Sequence, residues 1–244
     1  MPRIICAWLI LGLSVVAVCA QKSKPWTEWS KKDVEQALND SPWGQTQSEV
    51  ETSQSAASSS AITQVAATGA ANRDLSRSGE SGESKPTTSL KYRIRLLSAK
   101  PIREAFARQV ILSQEKPSEE LVQQLQSFVD RDFSDYIVVA VTVETNDKRS
   151  AAMLLSAFTK ATADELKAST FLERKDGQRV VLQDYRGPTD NMGAKFIFSR
   201  TVEGHPFLTD EKDNVRFVAQ FSEKVKLNAR YKVSEMGYNG KLEY

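Results

Sequence analysis

The segment from Lys224 to Val233 constrains this chain most, because apolar and polar residues alternate along it without a break. The apolar positions are Val225, Leu227, Ala229, Tyr231 and Val233, and the positions between them are Lys224, Lys226, Asn228, Arg230 and Lys232. Successive side chains of a β-strand point to opposite faces, so a period of two places one set on a core and the other in water. The segment is therefore predicted to be a strand with one apolar face and one basic face.

A second segment, Leu90 to Leu96, repeats this alternation and carries three cations on its polar face. If the two strands lie in one sheet and point the same way, seven cations share one surface: Lys91, Arg93, Arg95, Lys224, Lys226, Arg230 and Lys232. Two interpretations of that surface stay open. It is either a solvated face with weak salt bridges, or a face that binds lipid phosphate, an acidic glycan or an acidic protein partner.

The charge balance of the chain argues against nucleic acid as the partner. The sequence has 33 basic and 31 acidic residues, for a formal net charge of +2. A protein that neutralises many phosphates normally carries a clear basic excess. On the basic faces of the two alternating segments no aromatic side chain stands among the cations, as a base-stacking surface would require.

The remaining globular part predicts an α+β fold. Pro101 and Pro117 each begin a segment with helical periodicity. Residues Tyr136 to Val143 are apolar almost throughout and β-branched, which is typical of an interior strand. We expect a mainly antiparallel sheet with helices packed on one face, in a domain that spans residues 90–244.

A hairpin is predicted between Thr170 and Tyr185, where two β-prone runs flank the dipeptide Asp176-Gly177. A two-residue loop with this sequence is typical of tight hairpins. The resulting register places Arg174 opposite Arg179, which is mildly unfavourable.

Residues 1–20 have the pattern of a signal peptide. Arg3 precedes a mainly apolar run from Ile4 to Val18, and Ala20 is a small residue suited to cleavage. We expect export to the periplasm or the medium, and no transmembrane helix after cleavage. Lipid anchoring at Cys19 is the rival interpretation. Since Cys6 and Cys19 are the only cysteines, the mature chain would contain no disulfide.

Residues 21–44 predict a short helix that must dock on a larger body. Ser30 and Asp33 have the spacing of a helix N-cap and its third residue. About nine helical residues are marginally stable alone in water. We therefore expect Trp26, Trp29 and Trp43 to pack either on this protein's own domain or in the groove of a partner.

Residues 45–89 differ from the rest of the chain, with eleven Ser and six Thr and no aromatic residue. Such a composition buries too little apolar surface to offset the entropy of ordering, so a mostly disordered linker is predicted. Its first residues, Gln45 to Ser53, have the alternative of forming a short edge strand.

Few catalytic groups are available in the sequence. His205 is the only histidine, which excludes sites built on several histidines. Glycine-rich phosphate loops and the GxSxG nucleophile motif are absent. We therefore predict no metal site, no cofactor and no catalytic residue, and expect a non-catalytic binding or envelope-associated module. A carboxylate-dependent hydrolase without a cofactor is the alternative.

Several segments resemble a group of exported bacterial proteins of unknown function. They are WTEW, SKKDVEQALNDSPWGQT, SAKPIREAFAR, FLERKDGQRVVLQDY, GAKFIF and MGYNGKLEY. The resemblance covers residues 24–44 and most of 90–244. It implies export and one shared fold, and it brings no activity or ligand with it.

Overall fold

The computed structural model describes residues 24–51, 88–209, 214–222 and 225–244. The predicted signal peptide and residues 52–87 of the predicted linker lie outside the described residues, as does Lys224.

Five α-helices lie in the described part of the chain. They are α1 Lys31–Asn39, α2 Lys100–Leu112, α3 Glu119–Val129, α4 Lys148–Lys160 and α5 Ala163–Lys167, with single 3-10 turns at Trp26–Glu28 and Val233–Glu235. The predicted cap of α1 is confirmed, because the Ser30 backbone N–H donates to Asp33 Oδ2 at 2.7 Å and the Asp33 N–H donates to Ser30 Oγ at 3.2 Å. This reciprocal pair satisfies two amide donors that the first helical turn leaves free.

The strands are all antiparallel to their neighbours. In chain order they are β1 Gly44–Glu51, β2 Thr88–Leu96, β3 Tyr136–Thr145, β4 Phe171–Arg174, β5 Arg179–Val181, β6 Asp184–Arg186, β7 Ala194–Ser199, β8 Thr201–Val202, β9 His205–Pro206, β10 Asn214–Gln220, β11 Lys226–Lys232, β12 Gly237–Tyr238 and β13 Lys241–Leu242. A five-stranded sheet has the order β1-β2-β3-β7-β6, and a four-stranded sheet has the order β11-β10-β4-β5. The α+β class is confirmed, with two main sheets instead of one.

The core lies between the two main sheets, whose apolar faces meet. Phe217 of the four-stranded sheet lies 5.2 Å from the ring of Phe196 and 6.1 Å from that of Phe198, both on β7. The Tyr231 hydroxyl of β11 donates to the Ile94 carbonyl of β2 at 3.2 Å. The strand prediction for Lys224–Val233 is confirmed over Lys226–Lys232, where Leu227 and Tyr231 are both buried, whereas Val225 precedes the strand and Val233 begins a 3-10 turn.

The N-terminal segment docks on the body of its own chain. Val34, Leu38 and Trp43 belong to the main core cluster, and the Trp43 indole N–H donates to the Glu243 carbonyl at 2.6 Å. Apolar residues spaced three to four positions apart lie on one side of a helix, so a surface helix can bury them together as an apolar stripe. Trp26 is buried in a smaller cluster, which Trp29 contacts from its edge.

The N-terminal edge strand was the alternative left open for the start of the linker, and it forms. Over its eight residues β1 pairs with β2, from Gly44 opposite Arg95 to Glu51 opposite Thr88. The Gln47 side chain extends beyond this edge to the other sheet, donating to the Lys226 carbonyl and accepting from the Asn228 N–H, both at 2.8 Å. One carboxamide thus connects the edges of the two main sheets.

The predicted hairpin register is wrong by one residue. Arg179 pairs with Glu173, not with Arg174, and the Arg174 N–H donates to the Gln178 carbonyl at 2.9 Å. The loop therefore contains three residues and ends on Gly177, whose φ of 87° suits glycine. The longer loop replaces an opposition of two arginines with an ion pair.

Candidate anion-binding face

The two basic segments do not share a surface. β2 lies in the five-stranded sheet and β11 in the four-stranded sheet, and their apolar faces meet in the core. Because side chains alternate across a strand, the basic faces must then point away from each other on opposite sides of the molecule. The condition for seven cations on one surface was that both strands lie in one sheet, and it is not met, so the two groups need separate descriptions.

Arg95 is a buried structural residue, with 6% of its surface exposed. Its guanidinium donates to the Leu38 carbonyl at 2.9 Å, to Asn39 Oδ1 at 2.8 Å and to Thr142 Oγ1 at 3.0 Å. Burial lowers the pKa of Arg95 to about 10, so it stays charged at neutral pH. Its donors are used to hold the end of α1 on the sheet, which leaves them unavailable to a ligand.

Arg93 is neutralised on the same face. It forms two hydrogen bonds with the Glu144 carboxylate, at 3.2 and 3.0 Å, and a third with Thr46 Oγ1 at 2.8 Å. These bonds hold the pKa of Glu144 below its usual range. Lys91 is exposed and stands opposite Glu144 in the strand register. Little positive charge therefore remains available on this side.

The outer face of the four-stranded sheet is different. Lys226, Arg230 and Lys232 of β11 are all exposed. The register adds cations that the sequence prediction had not included, because Arg230 stands opposite Arg216, Arg216 opposite Glu173, and Glu173 opposite Arg179. The result is a row across four strands in which three of four side chains are arginines. We call these residues, with Lys226 and Lys232, the basic face.

Glu173 organises the row by binding two of its arginines. Its carboxylate accepts from Arg179 Nε at 2.6 Å and also from Arg216 Nη2. Both arginines hold the pKa of Glu173 below its usual range. Arg179 lies over the ring of Phe171, at 4.3 Å from its centroid, which adds a cation–π contact. The guanidinium groups are thus held in place while the face stays open to solvent.

Among the described residues, the cations of the basic face outnumber the carboxylates that pair with them. Lys232 forms an ion pair with Glu235 at 3.0 Å, and Glu173 forms ion pairs with both Arg179 and Arg216. Arg230 and Lys226 form no ion pair with a described residue. The alternation within NVRFVAQ could have identified Arg216 as an outward residue of β10, but its position beside Arg230 depends on the strand register.

The tryptophans are placed as docking residues within the chain. Trp26 and Trp43 are each 8% exposed, and the Trp29 carbonyl accepts from Arg108 Nε at 2.7 Å. This arrangement favours the first of the two interpretations given for them.

Carboxylates that the sequence brings close together are engaged in local bonds. Asp130 accepts from Lys100 at 2.7 Å, and Asp132 accepts from the Ser134 hydroxyl at 2.8 Å. Two cavities flank the loop at residues 187–193, and each has Asp190 as its single carboxylate. Both oxygens of Asp190 accept from Lys195 Nζ, at 2.9 and 2.8 Å. Neither cavity presents the pair of free carboxylates that two-carboxylate hydrolysis requires.

Over residues 24–51, 88–209, 214–222 and 225–244, no three His, Cys, Asp or Glu side chains are grouped in a way that could hold a metal ion. His205 is exposed on β9. In the same described part of the chain, none of the helices has the length and hydrophobicity needed to cross a bilayer.

These features define the class of the molecule as an α+β protein with two packed antiparallel sheets and one open cationic sheet face. The sequence matches no protein-family model and no curated protein. It is similar in structure to a protein of unknown function from Burkholderia pseudomallei K96243, with a TM-score of 0.38 and 8% sequence identity, over 58% of this chain and 74% of the other. This distant likeness carries no activity to the present chain.

Proposed function

We propose that this protein is an exported, non-catalytic module that binds anionic membrane surfaces through its basic face. The observation that carries the proposal is the opposition of Arg230 and Arg216 on neighbouring strands, on a sheet face where Lys226 and Lys232 are also exposed. The signal-peptide pattern of residues 1–20 and the resemblance to exported bacterial proteins support the location.

Like charges directly opposite each other on neighbouring strands are destabilising. Glu173 relieves only part of this repulsion, because it binds Arg216 and Arg179 and has no bond to Arg230. A phosphate that approaches between Arg230 and Arg216 would relieve the rest. Guanidinium groups suit this role because their donors form a planar fork that matches phosphate oxygens.

The shape of the face favours a surface over a small molecule as the partner. The face is one side of a twisted four-stranded sheet, and its cations are spread over all of its strands except β4. Juxtaposed cations contribute about 1 kcal/mol each to binding an anionic leaflet. Several such contacts together give appreciable binding without a deep pocket.

The test compares two double charge reversals that change the net charge equally. Lys226→Glu with Arg230→Glu alters the basic face, whereas Lys31→Glu with Lys91→Glu alters exposed cations elsewhere. Co-sedimentation with vesicles containing phosphatidylglycerol is measured at low salt, where surface electrostatics are strongest. We expect the first variant to bind at least roughly tenfold more weakly than the second, since reversal removes two contacts of about 1 kcal/mol and adds repulsion.

Equal loss in both variants would show that net charge alone governs binding, and no binding by the unaltered protein would overturn the proposal. Vesicles of phosphatidylcholine provide the uncharged control. Competition by inorganic phosphate or by an acidic polysaccharide, without retention on vesicles, would assign the basic face to a soluble anion instead.

A further inference from the structure

A cavity beside α4 has the features of a site for a small uncharged ligand. Its volume is about 280 Å³, and it lies between the end of β3, helix α4 and the loop at residues 187–193. Its apolar walls are Val141, Ala151, Leu155, Phe158 and Pro188. Ligand sites are typically concave and mostly apolar, with a few polar groups that orient the ligand. We refer to it as the α4 cavity.

The floor of the α4 cavity is rigid. Val141 and Phe158 are buried, and a Cβ at Gly193 would lie 2.1 Å from the Val141 carbonyl oxygen, so the loop can approach β3 closely only with glycine there. The Phe158 carbonyl accepts from the Tyr185 hydroxyl at 2.5 Å, which fixes the end of α4 to the five-stranded sheet. The cavity is therefore formed by the packing of three elements and is not a gap beside a loose loop.

The rim of the cavity is less complete than its floor. Leu155 is 58% exposed although it lines the cavity, which is unusual for a leucine on a helix that packs on a core. A ligand seated in the cavity would cover part of this side chain. Covering it removes apolar surface from water, which favours an apolar occupant.

The charges at the cavity exclude an ionic ligand. Asp190 is the only charged lining residue, and both of its oxygens accept from Lys195 Nζ. Asn191 also lines the cavity, and its side chain makes no hydrogen bond to a described residue. An amide can donate and accept, so it suits a hydroxyl, amide or carbonyl group. The volume corresponds to about nine non-hydrogen atoms at the ~30 Å³ that one water occupies in the liquid.

We infer that the α4 cavity binds an uncharged, mainly apolar small molecule that carries one hydrogen-bonding group, which contacts Asn191. The site is on a different part of the molecule from the basic face, and it does not depend on the function proposed above. A larger cavity of about 510 Å³ lies on the other side of the same loop, between α2 and α3, and shares Asp190 and Asn191 with the α4 cavity. It provides an internal comparison.

The experiment titrates indole, a neutral and mainly apolar molecule with one N–H group and about nine non-hydrogen atoms, into the whole protein and follows binding by isothermal titration calorimetry. Ala151→Phe fills the α4 cavity, whereas Ala152→Phe adds the same ring to the next residue of α4, which does not line it. Both alanines are exposed, so neither change disturbs the core. We expect saturable binding by the unaltered protein and by Ala152→Phe, and at least tenfold weaker binding by Ala151→Phe.

Two further variants keep the result decisive. Gln109→Phe obstructs only the larger cavity and should leave probe binding unchanged. Asn191→Ala should weaken binding of this probe, whose N–H can donate to the amide oxygen. Absence of saturable binding, or equal binding by Ala151→Phe and Ala152→Phe, would overturn the inference. Loss in Gln109→Phe alone would assign the probe to the other cavity and also contradict it.

The salt dependence of binding distinguishes the α4 cavity from the basic face. Raising the salt from roughly 0.01 M to roughly 1 M shortens the Debye length from about 30 to 3 Å. Vesicle binding through the basic face should then be lost, and probe binding in the α4 cavity should not weaken. A probe affinity that falls with salt would contradict an uncharged site.

Discussion

The outer faces of the two main sheets carry similar sequence patterns, but they differ in whether their cations are engaged within the protein or exposed. On the five-stranded sheet, Arg95 is buried under α1 and Arg93 is bound to Glu144. On the four-stranded sheet, Lys226 and Arg230 remain exposed. An alternating basic strand therefore indicates only which way its side chains point. Whether its cations stabilise the fold or stay available depends on which other element covers them.

Removing the cover from the first face should have the largest effect. Deletion of residues 21–44 takes Val34, Leu38 and Trp43 out of the core, and fully burying such side chains contributes roughly 1.5–3 kcal/mol each. We expect the free energy of unfolding in urea to fall by roughly 5 kcal/mol or more. As a control, Lys31→Ala with Glu35→Ala on the exposed side of α1 should change it little. An unaltered urea midpoint after the deletion would mean that the docking seen here contributes nothing.

Substituting single arginines should distinguish the two faces next. Arg95→Ala leaves the buried Leu38 carbonyl without its donor and removes two further bonds, so we expect a loss of about 3 kcal/mol. Arg230→Ala on the exposed face should change the free energy of unfolding by less than about 0.5 kcal/mol. Urea denaturation of both variants gives the comparison, and equal losses would contradict it.

Buried and exposed carboxylates should respond to pH with opposite signs. Glu104 is 4% exposed, and burial raises its pKa, although the Tyr238 hydroxyl donates to it at 2.5 Å. A raised pKa in the folded state contributes stability that is fully present below the unfolded pKa, about 4.3, and is lost as the pH rises through the folded pKa. The advantage of the unaltered protein over Glu104→Gln should therefore be largest near pH 4 and smaller at pH 8, by about 1.4 kcal/mol for each unit of pKa shift.

Glu144 provides the matched control for that experiment. Arg93 lowers its pKa, so its contribution is present above the unfolded pKa and is lost as the pH falls. Urea denaturation between about pH 4 and pH 8 should show the Glu144→Gln difference growing with pH while the Glu104→Gln difference shrinks. The same slope in both variants would refute the assignment.

A small effect on stability, together with a gain in vesicle binding, should come from Glu173→Gln. The change releases Arg179 and Arg216 from their shared carboxylate and should lower the free energy of unfolding by no more than about 1 kcal/mol. Vesicle binding should become severalfold tighter because the basic face gains net positive charge. Glu144→Gln removes one acid from the opposite face and should leave vesicle binding almost unchanged. Equal gains in both variants would indicate that the two faces do not differ.

The sequence predicts the secondary-structure elements of this protein better than it predicts which strands pair with each other. The cap of α1, the strand at Tyr136 to Val143 and the alternation of β11 depend on residues close together in the chain, and the structure has all three. The predicted hairpin register was wrong by one residue because a three-residue loop with Gly177 at positive φ competes with the two-residue loop.

The candidate site required more than local patterns. The cations of β11 were predicted, but their partner Arg216 and their separation from Arg95 depend on which strands pair. An alternating strand carries no information about its sheet, because the same apolar face suits either side of a two-sheet core. The sequence also could not indicate that the Arg95 donors would be used by Leu38 and Asn39, which lie more than fifty residues away.

The bridge made by Gln47 bears on how this protein avoids joining other copies of itself. A strand at the margin of a sheet offers bare peptide groups on which a second molecule can grow. Two such groups of β11 already have a partner in the Gln47 carboxamide, which imitates a short piece of adjacent backbone. A second molecule that pairs along β11 must first break both hydrogen bonds, so a single glutamine protects this strand against fibrous growth.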